Sequence, residues 1–177
     1  PFLHMLRDRE RIIDLFEMTC GARLLYNYMW VGGLSHDLPA GFVEETLRFL
    51  DYFEPKIDEF ENLLGHNKIF VERTADIGIM PADVAINFGV SGPNLRASGI
   101  KWDLRKDDPY SIYDRLDFDI PIGQGIKGSV GDSWDRFYVR LQEIRESVKI
   151  VRQAIDQLPK EGDVHQSMPK KIRPPKG

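Results

Sequence analysis

Cysteine is almost missing from this 177-residue chain, where Cys20 stands alone. One thiol excludes a disulfide within the chain and cannot supply the four thiolates of an iron–sulfur site. It also makes reducing, cytosolic chemistry the default. Histidine is scarce as well: His4, His36, His66 and His165 show no H-x-x-x-H or similar spacing, so no metal-site pattern is present. Basic charge is not in excess. With 24 Lys and Arg against 28 Asp and Glu, the net charge of −4 argues against a nucleic-acid binder. No apolar run approaches the roughly 18 residues that span a bilayer, and no signal segment opens the chain. An initiating methionine is missing before Pro1, and the basic, Pro-rich tail over 160–177 ends in KKIRPPKG with nothing to close it. The chain therefore reads as a piece of a larger protein.

What is present is apolar periodicity. Phe2, Leu6, Ile13, Phe16, Cys20 and Leu24 mostly stack on one face, predicting a first helix over about 1–30 that ends at Gly32-Gly33. Val43, Leu47, Leu50, Ile57, Phe60 and Leu64 predict a second helix over about 39–65, kinked at Pro55. A shorter helix is expected over 81–88. Asp132 with Asp135 three residues on resembles a capping box, and the stripe from Phe137 to Leu158 predicts a last helix over 132–158. Phe118-Asp119-Ile120 is the one strand-like piece. The fold class predicted is mainly α, a single-domain helical bundle over 1–177 with long ordered loops.

The most distinctive stretch is SGPNLRASGIKWDLRKDDPY at 91–110, glycine-rich and basic. A phosphate cradle needs backbone N–H groups converging at a helix start, usually in G-x-G-x-x-G or G-x-x-x-x-G-K-[ST]. Gly92 and Gly99 fit neither pattern, and Pro93 removes a donor. The alternative is a connector pinned to the helices by Arg96, Asp103 and Arg105, whose guanidiniums can bind carboxylates or carbonyls in a bidentate manner. This reading expects Arg96 and Asp103 to be partly buried and hydrogen-bonded. Tyr110 and Tyr113 read as packing.

SGPNLRASGIKWDLRK also resembles the middle of the D-subunit family of NADH:quinone oxidoreductase, respiratory complex I, which is related to nickel–iron hydrogenase large subunits. The resemblance extends in order through PFLHMLRDRERIIDLFEMTCGAR, GGLSHDLP, RTADIGIMP, DPYSIYDRLDFDIP and GDSWDRFYVRLQEIRESVKIVRQ. It implies the central helical portion of a subunit more than twice as long, with the core of the hydrogenase large subunit as its fold.

By this resemblance the chain belongs to a peripheral complex on the cytoplasmic face of a bacterial inner membrane. The resemblance implies a quinone-site subunit of a proton-translocating enzyme, with quinone as substrate. NADH and the iron–sulfur clusters belong to partner subunits. The partners implied are other peripheral-arm subunits, notably the one holding the terminal cluster, and membrane-arm subunits. No cofactor is expected on this chain, no catalytic residue in this fragment, and no activity from it in isolation. Phe2 and Leu6 match the segment that lines the quinone cavity. Leu25 and Trp30 stand on the first helix where many family members carry a histidine and an arginine facing the partner's cluster. Gly21-Ala22-Arg23, Tyr28 and Gly32-Gly33 fix that register, so this side of the cluster loses a titrating group and a fixed positive charge. Arg96, Asp103 and Arg105 match the motif as scaffold. Two other readings stay open: the large subunit of a membrane-bound hydrogenase, whose Cys-x-x-Cys pairs would flank this region, and a helical scaffold or adaptor.

Overall fold

The computed structural model describes residues 2–167, and its contacts gather the chain into two compact units where the sequence suggests one domain. One unit comprises Phe2–Phe49 and the segment from Leu158; the other comprises Leu50–Gln157. Helix α2 (Phe42–Phe60) crosses the boundary.

In the first unit, α1 covers Phe2–Cys20, about 28 Å at 1.5 Å per residue. It stops ten residues before the expected end near residue 30. Gly21 adopts a left-handed conformation (φ 69°), and its N–H closes on the Glu17 carbonyl at 2.8 Å. This is the usual way a helix terminates at glycine. The Gly32-Gly33 pair read as a helix stop instead forms a hairpin. Strands β1 (Met29–Trp30) and β2 (Gly33–Leu34) pair antiparallel, Met29 with Leu34 and Trp30 with Gly33. Arg23, just past the glycine, folds back onto α1. Its guanidinium reaches Glu10 at 2.5 Å and Asp14 and Glu17 at 2.7 Å each. Those carboxylates share a face because they lie four and three residues apart.

The second unit is built on α7 (Ser133–Asp156). Asp132 caps it as expected, accepting the Asp135 N–H at 2.8 Å, and also accepts the Asp76 N–H at 2.9 Å. The reciprocal half of the capping box is absent: the Asp135 carboxylate turns to the Gly125 N–H at 3.0 Å, and burial raises its pKa. Trp134, almost fully enclosed, stacks on Tyr138 and donates its indole N–H to the Gly65 carbonyl at 3.2 Å. That carbonyl closes a π-helical turn, Glu61–Gly65, that follows α2. Arg145 pairs with Asp58 and Glu61, and Arg152 with Asp51 and Glu54. Rising numbers in α7 meet falling numbers in α2, so the second half of α2 runs antiparallel to α7. Leu50, Ile57, Phe60, Val139, Leu141 and Val148 supply much of the core between these elements.

Three short helices flesh out what the sequence suggests is loop. Helix α3 (Lys68–Thr74) is capped by Asn67, which accepts from the Ile69 and Phe70 N–H groups. After α4 (Ala82–Asn87), close to its expected place, the 91–110 connector contains α5 (Gly92–Ala97) and α6 (Leu104–Asp107). Pro93 is tolerated in the first turn of α5 because that position has no intrahelical acceptor to lose. Residues 116–119 form no strand. Leu116 and Phe118 alternate inward like a strand, but the backbone pairs with side chains of α7: Gln153 accepts the Asp117 N–H and donates to the Asp117 carbonyl, and Glu146 accepts the Asp119 N–H.

Candidate functional site

The residues expected to matter fall into an N-terminal stripe, a hairpin and a buried charge cluster. Phe2 and Leu6 lie one turn apart on α1 and are 71% and 40% exposed, so neither is consumed by this chain's own core. Deeper along the same helix, Ile13 and Leu15 are buried. A first helix turn with exposed apolar residues offers a surface that water leaves readily.

Leu25 and Trp30 lie beyond α1 rather than on it, a correction that follows from the helix end at Gly21. Leu25 is in the loop and is 84% exposed; Trp30 is on β1 and is 51% exposed. Leu24, Met29 and Val31 are exposed beside them in the sequence. Trp30 donates its indole N–H to the Asn27 carbonyl at 3.2 Å, which fixes the ring over the turn below it. The Ser35 N–H reaches the Tyr28 carbonyl at 2.8 Å, closing the base of the hairpin. His36 ties that base to α1. Its Nε2 lies 2.6 Å from the Thr19 carbonyl and must donate to it, and Nδ1 lies 2.8 Å from the Ser35 hydroxyl. The Tyr28 ring meets the His36 ring edge-on at 5.2 Å, and burial, followed by the nearby Asp37 and Cys20, raises the Tyr28 pKa.

Sequence reasoning missed His165. The chain returns to the hairpin at Val164–Gln166: His165 bridges antiparallel to Gly33, the Val164 carbonyl accepts the Leu34 N–H at 2.8 Å, and the Gln166 N–H reaches the Gly32 carbonyl at 2.9 Å. The imidazole of His165 meets the Trp30 indole edge-on with 6.3 Å between ring centres. No local pattern announces a pairing so distant along the chain.

The charge cluster belongs to the second unit. Arg96 on α5 and Asp103 ahead of α6 are 6% and 4% exposed. Arg96 Nε donates to Glu143 of α7 at 2.6 Å, its Nη2 also reaches that carboxylate, and Nη1 donates to the Trp102 carbonyl at 3.2 Å. Asp103 lies 3.4 Å from Arg96 and takes a two-pronged bond from Arg105, Nε at 3.0 Å and Nη2 at 2.6 Å. Burial acts to raise the Asp103 carboxyl, and the Arg105 bonds overcome it, so the carboxyl titrates below its usual range. The same pairing raises Arg105, whose guanidinium also lies 5.0 Å from the Phe118 ring centre and 5.8 Å from that of Tyr113. The Arg96 bonds to Glu143 lock the connector to α7, and the cluster also lines a cleft with Ser91, Trp102 and Tyr110. Glu143 was not foreseen, because its position on α7 reads as part of a solvated, charged face.

Among the described residues no group of three or more His, Cys, Asp or Glu could hold a metal ion, and no helix is long and apolar enough to cross a membrane. Comparison with known proteins gives one consistent result. The family model described as the respiratory-chain NADH dehydrogenase 49 Kd subunit matches residues 1–177. The D-subunit of NADH-quinone oxidoreductase from Chlorobium phaeovibrioides is 55% identical over 100% of this chain and 45% of its own length. A D-subunit of the same enzyme from Cytophaga hutchinsonii is 53% identical over 98% of this chain and 46% of its own. One from Anaeromyxobacter dehalogenans is 50% identical, again over 100% of this chain and 46% of its own length. The chain spans a little under half the length of these relatives.

Proposed function

This chain belongs to the 49 Kd subunit family of the respiratory-chain NADH dehydrogenases, and we propose that it is the central part of a subunit that passes electrons from a partner's terminal iron–sulfur cluster to quinone. The observation that carries the reading is the family match along the whole chain. In the family's register, Phe2 and Leu6 are taken as quinone-cavity residues and Leu25 and Trp30 as cluster-facing ones. The exposure of all four side chains supports it, because residues that serve a partner or a greasy substrate are not spent on this chain's own core.

In this reading Phe2 and Leu6 contact the apolar ring and tail of the quinone and exclude water there. In this proposal a partner subunit holds the cluster, in keeping with the single cysteine of this stretch, and the cluster supplies one-electron chemistry when present. Leu25 and Trp30 then give that cluster an apolar, non-titrating face on this side. The names of the relatives, all D-subunits of NADH-quinone oxidoreductase, favour this reading over a hydrogenase large subunit. The assembly lies peripherally at the cytoplasmic face of the inner membrane in this proposal, held there by membrane-arm partners.

The test is a Leu6→Asp substitution in the full-length subunit of the assembled enzyme. A charge placed in the quinone cavity lowers NADH oxidation by quinone at least tenfold. NADH oxidation by a hydrophilic acceptor such as ferricyanide, which bypasses the cavity, stays unchanged. Equal rates for both acceptors in variant and wild type would remove Leu6 from the quinone site.

A further inference from the structure

Hairpin β1–β2 has two residues in each strand, and two-stranded ribbons of that size are marginal in water at best. Most of its apolar side chains face outward, since Met29, Trp30 and Val31 are all exposed. Its base is tied to α1 through His36, and its tip is held by the return of the chain at Val164–Gln166, which bonds the Leu34 N–H and the Gly32 carbonyl and lays His165 edge-on against Trp30. The fit is close. A Cβ on Gly33 would stand 2.4 Å from the Val164 carbonyl oxygen, and Gly33 has a φ of 142°, in the range other residues avoid. Glycine at 33 is therefore demanded twice, by its conformation and by the bridging segment laid over it.

We propose that Val164–Gln166 is a positioning strap: it sets the place of Trp30 on the face turned to the partner's cluster, with Gly33 and Gln166 as its positioning residues. The inference rests on the reading of Trp30 as cluster-facing. The strap touches neither quinone nor cluster and acts only through the hairpin. Three contacts define it. The Gln166 N–H fixes the turn at Gly32, the Val164 carbonyl fixes β2 at Leu34, and the His165 ring limits the swing of the indole.

The experiment uses the full-length subunit in the assembled enzyme. Gln166→Pro deletes the N–H that reaches Gly32, whereas Gln166→Ala keeps it and serves as the control. Trp30→Ala removes the side chain being positioned, and the fourth protein combines Trp30→Ala with Gln166→Pro. Amide exchange over residues 28–36 and NADH oxidation by quinone are measured on each, with the electron paramagnetic resonance spectrum of the terminal cluster. Gln166→Pro is expected to speed exchange of the hairpin amides at least tenfold, to shift the cluster spectrum and to lower quinone reduction about threefold. Gln166→Ala is expected to match wild type. The double variant is expected to lose no more activity than Trp30→Ala alone, because a strap acting through Trp30 has nothing left to place. A general structural weakening would instead give losses that multiply, and that result overturns the proposal. Unchanged hairpin exchange in Gln166→Pro overturns it as well. Wild-type rates and spectrum in Trp30→Ala would overturn the cluster-facing reading itself, on a measurement separate from the exchange that reads the strap.

Discussion

The connector at 91–110 and the hairpin around Trp30 are both irregular stretches, and they dispose of their side chains in opposite ways. The connector draws charge inward: Arg96 and Asp103 are buried and pair with each other, Arg96 with Glu143 and the Trp102 carbonyl, and Asp103 with Arg105. The hairpin turns apolar groups outward, with Leu25, Met29, Trp30 and Val31 in solvent. Buried paired charge is expensive and is tolerated where geometry must be specified, which fits a scaffold reading of the connector. Exposed adjacent apolar side chains are a surface left for something else to cover. Of these two stretches, then, the more strongly charged one reads as structural, and the plain, greasy one is the candidate for function.

Arg96→Ala should break the scaffold side of this contrast most severely. Glu143 would be left without its guanidinium and Asp103 would lose one of two, a loss of about 3–5 kcal/mol for a buried pair. Chemical denaturation of the full-length subunit reads it. A change of about 1 kcal/mol or less, typical of exposed pairs, would mean that the cluster is solvated in solution.

Asp103→Asn should cost somewhat less, about 3 kcal/mol at pH 7, because Arg96 keeps Glu143. Its pH dependence sharpens the point. A carboxyl depressed in the folded state contributes stability above its unfolded pKa near 4, and that contribution drains away as the pH falls through the lower folded value. Stability curves for wild type and Asp103→Asn should therefore converge below about pH 4. Curves that stay parallel to pH 2 would show that the charge on Asp103 is not what stabilises the connector.

The hairpin side predicts the smallest change in stability. Leu25→Gln exposes a polar group where a leucine was already exposed, so folding stability should move by no more than about 0.5 kcal/mol. Assembly is where the effect should appear, as a lower yield of the intact complex by native gel. Full assembly with Leu25→Gln would mean that this surface is not covered by a partner.

Much of the fold could be read from the sequence where periodicity is long. Helix α7 begins at its Asp132 cap and ends just before Pro159, and α4 follows Pro81. The failures have local physical causes. At six and four residues, α5 and α6 are too short to show a repeat. Helix α1 was overextended because Leu24 continues its stripe, and the left-handed turn at Gly21 outweighs one more apolar residue. The hairpin is invisible in the sequence because its strands are two residues long and part of what holds it is a bridge from the far end of the chain. At the candidate site, the burial of Arg96 and Asp103 follows from many charges on a connector between apolar helices, but nothing near them in sequence names Glu143 as the partner.

That far pairing also has an order in time. The ribosome delivers roughly 5–20 residues per second, and Gly33 cannot meet His165 until the intervening chain has been made. The hairpin therefore waits on the order of ten seconds in the nascent chain, its leucines and tryptophan exposed, and α7 and the charge cluster have all their parts a few seconds or less before it does. The surface proposed for the partner is thus the last piece of this region to take shape during synthesis, and a subunit stalled or cut before residue 164 would keep its scaffold and lack a formed face to dock.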